Sequence, residues 1–140
     1  MKKFSLGFVF DASLERVLLI HKNRPDWQKG KLNGIGGKVE DGEDGLECMV
    51  RETLEETDLK IASTDWKHFA QIHDTYGLVD VYAVVYVGPQ SDAKNAEDQE
   101  VEWVGCQQLP TNVIKNLRWL IPAAADSLVE NSFKKIVVEY

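Results

Sequence analysis

The stretch from Gly37 to Leu59, GKVEDGEDGLECMVRETLEETDL, is the most informative part of this 140-residue chain. After Gly45 it has no proline or internal glycine as far as Thr57, and its apolar residues recur at helical spacing, at Leu46, Met49, Val50 and Leu54. This pattern predicts an amphipathic helix from Asp44 to Thr57.

Three glutamates, Glu52, Glu55 and Glu56, fall on one face of that helix because they are related by three and four residues. Clustered carboxylates repel one another, and a bound divalent cation would reverse that effect and keep them ionised. Their hard oxygen atoms favour Mg²⁺ or Mn²⁺. The alternative is an acidic helix whose glutamates face only water.

Two further features of the stretch bear on such a site. The rigid fork of donors on Arg51 can pair with a neighbouring carboxylate and fix its orientation. Gly36 and Gly37 allow a sharp backbone turn and a close approach to a ligand. We therefore expect the carbonyl group of Gly36 to be able to reach the same metal.

The spacing of these residues resembles the Nudix box, G-x5-E-x7-R-E-U-x-E-E-x-G-U, in which U is apolar. The positions that match are Gly37, Glu43, Arg51, Glu52, Glu55, Glu56 and Leu59. Asp58 stands where the family has glycine, just past the helix, and aspartate tolerates the left-handed conformation expected there. Thr53 occupies a usually apolar position, where its methyl group can pack inward and its hydroxyl can bond a carbonyl one turn back.

The resemblance implies Mg²⁺-dependent hydrolysis of a nucleoside diphosphate linked to another group, with water attacking one phosphorus of the pyrophosphate. It implies metal ligands at Glu52, Glu55, Glu56 and the Gly36 carbonyl, and a supporting role for Glu43 beside Arg51. The family's general base is either Glu52 or a glutamate of a downstream loop. For the second option the sequence offers Glu97 and Glu100. We favour Glu97 because it lies six residues before Trp103, and many members of the family that the chain resembles have a carboxylate at this distance before a tryptophan.

Substrate recognition rests on residues around the box. The stretch Leu32 to Lys38 is similar to the equivalent segment of the family's oxidised-purine triphosphatases, in which the asparagine contacts the base. Asn33 is accordingly a candidate base reader, although Asn-Gly is also an ordinary turn dipeptide. Those enzymes carry two aspartates before their last helix, where this chain has only asparagines nearby. The candidate substrate-binding residues are Asn33, Lys38, Arg24, Asn116 and Trp119.

Two alternatives stay open for these candidates. The basic stretch from Lys22 to Lys31 can bind phosphates or can be a solvated loop. Trp27 and Trp119 can stack on a base or pack structurally, and Trp119 is the stronger candidate for stacking.

Bulk properties are typical of one compact domain, which we place at residues 1–140. The net charge is −7, which disfavours a grip on long nucleic acid but leaves small nucleotides as partners. Two distant cysteines and the absence of a long apolar segment favour the cytoplasm, with no membrane association. The chain is expected to be a monomer or a homodimer.

Strand patterns surround the acidic helix, and a second helix is expected from Asn112 or Val113 to about Leu128, kinked or interrupted at Pro122. The predicted strands are Lys3–Phe10, Arg16–Lys22, Trp66–Thr75, Leu78–Val87, Val101–Gly105 and Phe133–Val138. One helix on each face of a mixed sheet gives an α/β/α sandwich, the fold that the resemblance also implies.

Three functions are consistent with these residues. The first is a pyrophosphatase that converts a nucleoside triphosphate, preferably a purine, to the monophosphate and pyrophosphate. The second is a hydrolase of a larger conjugate, such as a dinucleoside polyphosphate, nucleotide sugar, ADP-ribose or RNA 5′ end. The third is a non-catalytic nucleotide-binding module, which the complete set of box glutamates disfavours.

Overall fold

The structure is a computed structural model that describes residues 1–140. Its eight strands form one mixed sheet, and two helices cover the two faces of that sheet. The strands are β1 (Lys2–Phe10), β2 (Arg16–His21), β3 (Leu32–Asn33), β4 (Ile35–Lys38), β5 (Lys67–Asp74), β6 (Gly77–Val85), β7 (Glu100–Gly105) and β8 (Ile136–Glu139), and the helices are α1 (Gly45–Thr57) and α2 (Leu117–Val129). The predicted α/β/α sandwich is therefore confirmed.

Strand β1 lies at the centre of the sheet because it pairs along both of its edges. One edge pairs in parallel with β6 over the whole strand. The other edge is shared, since Phe4 to Gly7 pair with β4 while Val9 and Phe10 pair with β2. Strands β4 and β2 therefore occupy successive stretches of the same edge of β1.

Successive apolar side chains of the central strands point to opposite faces of the sheet and form two separate cores. Phe8 and Phe10 of β1 belong to the core under α2, whereas Val9 belongs to the core under α1. Leu117 and Leu120 anchor α2 in the first core, and Met49 anchors α1 in the second. This division follows from the two-residue repeat of a strand, which sends successive side chains to opposite faces.

Helix α2 begins later than predicted. Backbone hydrogen bonds tie the segment before it to Leu32, whose N–H donates to the carbonyl of Asn112 and whose carbonyl accepts from the N–H of Ile114. These bonds hold the segment extended, so the helix begins at Leu117. Of the two effects predicted for Pro122, a kink or an interruption, the interruption does not occur, because the helix continues through it.

Candidate active site

Helix α1 begins and ends where the sequence predicts, and this fixes the register of its carboxylates. Asp44 caps the N-terminus by accepting from the N–H of Glu47 at 2.8 Å, and the Glu47 carboxylate accepts from the N–H of Asp44 at 3.0 Å. This reciprocal pair satisfies two backbone donors that would otherwise lack partners. Asp58 closes the helix in the left-handed conformation, with φ of 63°.

The apolar face of α1 differs from the predicted face at one residue. Thr53 is fully buried, and its hydroxyl donates to the Met49 carbonyl at 2.7 Å, as expected. Leu54, which we placed with the apolar residues, is instead 45% exposed. The shift follows from helix geometry, because residue 53 lies four positions after Met49 and so shares its inward face, whereas residue 54 is rotated toward solvent.

Arg51 is the centre of the charged cluster on α1. Its Nε and Nη2 atoms donate to the two oxygens of Glu43 at 3.1 and 2.7 Å. Nη1 donates to Glu52 at 2.8 Å and to Glu55 at 3.1 Å, and Nη2 also reaches the carbonyl of Lys38 at 3.2 Å. One planar guanidinium therefore orients three carboxylates at once, which the point charge of a lysine cannot do.

The Glu43 and Arg51 pair shifts the ionisation of both groups. Hydrogen bonding to Arg51 lowers the pKa of Glu43 to about 2. The same hydrogen bond raises the pKa of Arg51 above its already high value. Glu43 is thus held as an anion beside Arg51, which is the supporting arrangement expected for this residue.

Glu56 has a different environment, because it is only 2% exposed and its Oε2 atom has no hydrogen-bond partner. Burial raises the pKa of Glu56 to about 9, and a hydrogen bond and repulsion from Glu52 add to that effect. The positive charge of Lys22 and a hydrogen bond from the N–H of Gly36 lower the pKa of Glu56, but by less. Without a cation this carboxyl therefore holds a proton at neutral pH.

Gly36 and Gly37 do not form the sharp turn that we predicted; both lie in the extended strand β4. Glycine is required there because of close approaches instead. A Cβ atom on Gly36 would lie 2.1 Å from the Ser5 carbonyl oxygen, and one on Gly37 would lie 2.6 Å from Oε1 of Glu52. The strand therefore passes directly against the carboxylates of α1.

The donor set fits a hard divalent cation, although no three acidic, histidine or cysteine side chains converge around a ready-made metal position. Arg51 occupies the space between Glu52 and Glu55, while Glu56 faces inward with an unpartnered buried oxygen. Such an oxygen is costly to bury without a proton or a cation. Glu56 interacts with both Glu52 and the backbone of Gly36, and these three groups are the best placed to hold a metal.

A cavity of about 410 Å³ opens beside this cluster. Gly36, Gly37 and Lys38 form the wall nearest to α1. Further lining residues come from six other segments and include Ser5, Lys22, Trp27, Gln28, Asn33, Ile72, Asp74, Tyr76, Asn116 and Tyr140. Apolar, aromatic and amide groups thus lie next to the charged cluster, as a site for a nucleotide base would require.

The two asparagines of the cavity differ in how far their amides are already satisfied. The side chain of Asn33 donates to Gln28 at 2.9 Å and accepts from the N–H of Gly34 at 2.8 Å. The Oδ1 atom of Asn116 is buried and has no partner. Asn116 therefore has the open acceptor, whereas Asn33 retains only one free amide hydrogen.

The remaining predicted substrate contacts are not all at the cavity. Trp27 lines it and is 62% exposed, whereas Trp119, the tryptophan that we favoured, is not among the lining residues. Arg24 does not line it either. Helix α2 explains the position of Trp119, because Leu117 and Leu120 face the core and turn the residue between them toward solvent.

A second, smaller cavity of about 390 Å³ shares Lys22 with the first. Its lining has no apolar residue and consists of His21, Lys22, Asn23, Lys29, Gly30, Asp98 and Glu100. Of the two downstream glutamates considered, Glu100 is therefore at a cavity, whereas Glu97 lies in an exposed turn that lines neither. Strand β7 explains this placement, since Glu100 pairs with His21 and so lies beside Lys22.

The family model described as the NUDIX domain matches residues 4–124. The chain belongs to the Nudix family. This match covers most of the sequence and confirms both the predicted family and the predicted class of enzyme, a Nudix pyrophosphohydrolase. Nudix hydrolases generally use divalent metals.

Solved structures share the fold at low sequence identity. A MutT structure, from work on the Aliivibrio salmonicida and Vibrio cholerae proteins, is 23% identical with a TM-score of 0.69, over 89% of this chain and 98% of that one. The NUDIX domain of Shewanella oneidensis NrtR, complexed with ADP ribose, is 15% identical with a TM-score of 0.72, over 91% and 88%.

A Francisella tularensis bifunctional NMN adenylyltransferase/ADP ribose pyrophosphatase, complexed with AMP and a Mn ion, is 17% identical with a TM-score of 0.66. The match covers 90% of this chain and 41% of that one. Two of these neighbours are complexed with small nucleotides, ADP ribose in one and AMP in the other. In this Nudix domain, no helix has the length and apolar character needed to cross a membrane.

Several cavity residues of the Nudix domain were not found from the sequence. Gln28 precedes β3, Asp74 and Tyr76 lie at the β5–β6 hairpin, and Tyr140 follows β8. None of them belongs to a motif with fixed spacing. The only signal in the sequence was an aromatic residue, Tyr76, between two predicted strands, and that signal is not specific.

Proposed function

We propose that the chain, as a single domain of residues 1–140, hydrolyses a nucleoside triphosphate to the monophosphate and pyrophosphate in a Mg²⁺- or Mn²⁺-dependent reaction. The observation that carries this proposal is the shared wall between cavity and cluster. Gly37 lines the cavity and also lies against the carboxylate of Glu52. A base in the cavity would therefore place its phosphates at the carboxylates of α1.

In this proposal Glu52 and Glu56 hold the cation, with Gly36 as the backbone contribution and Glu55 as an outer ligand. The cation would supply charge neutralisation for the phosphate oxygens and activation of the attacking water. Arg51 positions Glu52 and Glu55 through its hydrogen bonds to both. Lys22, which lies near Glu56 and lines both cavities, would contact the bridging phosphates.

We propose Glu100 as the proton acceptor in place of Glu97, because Glu100 shares a cavity with Lys22. It would accept the proton of the attacking water, while Glu52 stays engaged with Arg51 and Glu56. A general base of this kind contributes about 10²- to 10⁴-fold in rate. Glu100→Gln should therefore lower kcat by that order and leave KM for the nucleotide nearly unchanged.

Purine preference is supported by the amide groups of the cavity. The open acceptor of Asn116 suits an exocyclic amino group or a ring N–H, and the free hydrogen on Asn33 suits a ring nitrogen or a carbonyl. Trp27 offers an indole face at the cavity wall for stacking. We propose Asn116, Asn33 and Trp27 as base contacts and Lys38 as a phosphate contact.

The test is metal-dependent release of pyrophosphate and phosphate from ordinary and oxidised nucleoside triphosphates, ADP-ribose, dinucleoside polyphosphates and nucleotide sugars. Pyrophosphate and a monophosphate from a purine triphosphate would support the proposal. Asn116→Ala should then raise KM for the purine substrate more than it lowers kcat. Cleavage of a conjugate alone would refute the proposed triphosphate hydrolysis. Tight nucleotide binding with no turnover would favour a non-catalytic module.

ADP-ribose is a second candidate, favoured by two neighbours whose structures or activities involve it. The polar cavity beyond Lys22 has the volume for a ribose. The products separate the two functions, since ADP-ribose hydrolysis yields AMP and ribose phosphate without releasing pyrophosphate.

A further inference from the structure

Gln99 is a buried amide in the turn before β7, and it lines neither cavity. Its side chain belongs to a residue that is only 6% exposed, and the Oε1 atom is buried without a hydrogen-bond partner. The segment that carries it is tied to α1, because the N–H of Lys94 donates to the carbonyl of Thr57 at 2.9 Å. An unpaired buried oxygen costs free energy, so a donor that reaches it gains a favourable hydrogen bond.

The register of the sheet identifies Lys22 as the residue opposite Gln99. Strands β2 and β7 are antiparallel, and their last pair is His21 opposite Glu100. The next position of the same register sets Lys22 opposite Gln99. The side chain of Asn23 donates to the carbonyl just before Gln99, so the alignment continues past the ends of the strands. Side chains on one face at such a position are close enough to interact.

Lys22 and Gln99 share the face of the sheet that α1 covers. Ile20 lies two residues before Lys22 and is part of the core under α1. Val101 lies two residues after Gln99 and packs against the same core. Because side chains two residues apart along a strand share a face, Lys22 and Gln99 are directed to the α1 side. The positive charge of Lys22 lowers the pKa of Glu56, which agrees with this placement.

The ammonium of Lys22 has two directions open to it, because Lys22 lines both cavities. In the polar cavity it would meet the carboxylates of Asp98 and Glu100, which attract it. Gln99 lies between these two residues in sequence and faces the opposite side of the sheet. A hydrogen bond to its Oε1 would keep the ammonium on the α1 side. The neutral amide would do this without cancelling the positive charge.

We propose that Gln99 is a positioning residue that accepts a hydrogen bond from the Lys22 ammonium and holds it on the α1 side, away from the polar cavity. The inference rests on the proposed function, in which Lys22 contacts the bridging phosphates. The flexible four-carbon stem of lysine lets the ammonium reach the amide oxygen, and its remaining hydrogens stay free for phosphate oxygens. Gln99 acts through Lys22 and contacts neither substrate nor metal.

The test is a double-mutant cycle on Gln99→Met and Lys22→Met, measured by steady-state kinetics with a purine nucleoside triphosphate. Methionine keeps the length of the glutamine side chain and removes its carbonyl acceptor. Gln99→Met alone should lower kcat/KM about tenfold, as expected for the loss of a hydrogen bond to a charged group. Added to Lys22→Met, the same change should alter kcat/KM by less than about twofold, because the side chain that it positions is gone.

The same cycle measured by thermal unfolding, without substrate, separates this inference from the proposed function. A Lys22–Gln99 hydrogen bond predicts that Gln99→Met lowers the Tm by about 3–6 °C, and by less in the presence of Lys22→Met. An oxygen that stays unpaired predicts an equal or higher Tm, because methionine then removes only a buried unpaired polar atom. That Tm result, or equal kinetic losses with and without Lys22→Met, would overturn the inference. Coupled Tm values in a protein that cleaves no triphosphate would support the Lys22–Gln99 pair and refute the proposed reaction.

The matched control is Asn95→Ala, which removes another amide from the segment before β7. The Oδ1 atom of Asn95 accepts from the N–H of Val101 at 2.9 Å, a bond that shapes the segment without Lys22. Asn95→Ala should therefore lower the Tm equally with and without Lys22→Met. A coupling of Asn95 to Lys22 as large as that of Gln99 would show that the cycle reports disorder of the segment, and would overturn the inference.

Discussion

At the scale of single residues, burial separates the carboxylates of α1 into different roles. Glu55 is 44% exposed in its side chain and ion-paired, whereas Glu56 is buried with an unpartnered oxygen. Two side chains adjacent in sequence thus differ in environment, because the helix points one outward and one inward, and burial raises the pKa of Glu56. Of the glutamates on this helix, Glu56 depends most strongly on a cation for its charge.

We expect Glu56→Gln to abolish most turnover, by about 100-fold or more, while keeping the fold. The amide is isosteric with the protonated carboxyl that the metal-free protein holds, but it cannot supply a negative charge to the metal. Steady-state kinetics and circular dichroism check both parts. Glu15→Gln, in the exposed β1–β2 turn, is the control, and a Glu56→Gln enzyme with full Mg²⁺-dependent rate would refute the assignment.

Stability of the metal-free protein should fall as pH rises. The pKa of Glu56 is raised from 4.5 to about 9 on folding, so the folded state binds the extra proton across that window. The contribution is fully present below about pH 4.5 and is lost as pH approaches 9.

Urea unfolding in EDTA at pH 5.5, 7 and 8.5 measures this decline, and Glu56→Gln should flatten it. Mg²⁺ should stabilise the wild type more at pH 8.5 than at pH 5.5, because the cation replaces the proton. Stability in EDTA that does not depend on Glu56 over this range would contradict the expectation.

At the scale of elements, the site depends on how closely β4 passes α1. A side chain on Gly36 would collide with the Ser5 carbonyl oxygen, and one on Gly37 would displace the Glu52 carboxylate. Gly37, the glycine of the Nudix box, therefore allows β4 to pack closely against α1. It does not form the turn that the sequence suggested.

Gly37→Ala should lower activity more than stability. The new methyl group would meet the flexible end of Glu52, which can swing aside at small cost to folding but loses its position beside Arg51. We expect a loss in kcat of about tenfold or more.

Gly105→Ala is the matched control, because nothing lies within 4 Å of its Cβ position and its φ is ordinary. Thermal unfolding and kinetics on both variants are the measurement. Equal activity of the two proteins would show that the Glu52 position is not required.

At the scale of the whole molecule, the sheet separates two cores with different tasks. The core under α1 supports the charged cluster, and the core under α2 supports the opposite face. Stability and activity should therefore respond differently to cavities made in the two cores.

Met49→Ala and Leu120→Ala are each expected to cost about 2–5 kcal/mol in the free energy of unfolding, since both side chains are fully buried. Only Met49→Ala should also lower kcat, because it loosens the helix that carries Arg51 and the glutamates. Urea denaturation and kinetics well below the unfolding temperature distinguish the two effects. A larger kcat loss in Leu120→Ala would contradict this division.

The sequence alone determined helix α1, its caps and the register of Arg51 with its glutamates, because these depend on spacing within one continuous segment. It also determined most strand positions and the sandwich architecture through local apolar patterns. Tertiary structure decided which residues meet across segments. Pairing with Leu32 delayed α2, and the segment between β2 and β3 places Trp27 at the cavity, which Trp119 of α2 does not line. Pairing of β7 with β2 likewise placed Glu100 rather than Glu97 beside Lys22, since long-range strand pairing leaves no signal in local spacing.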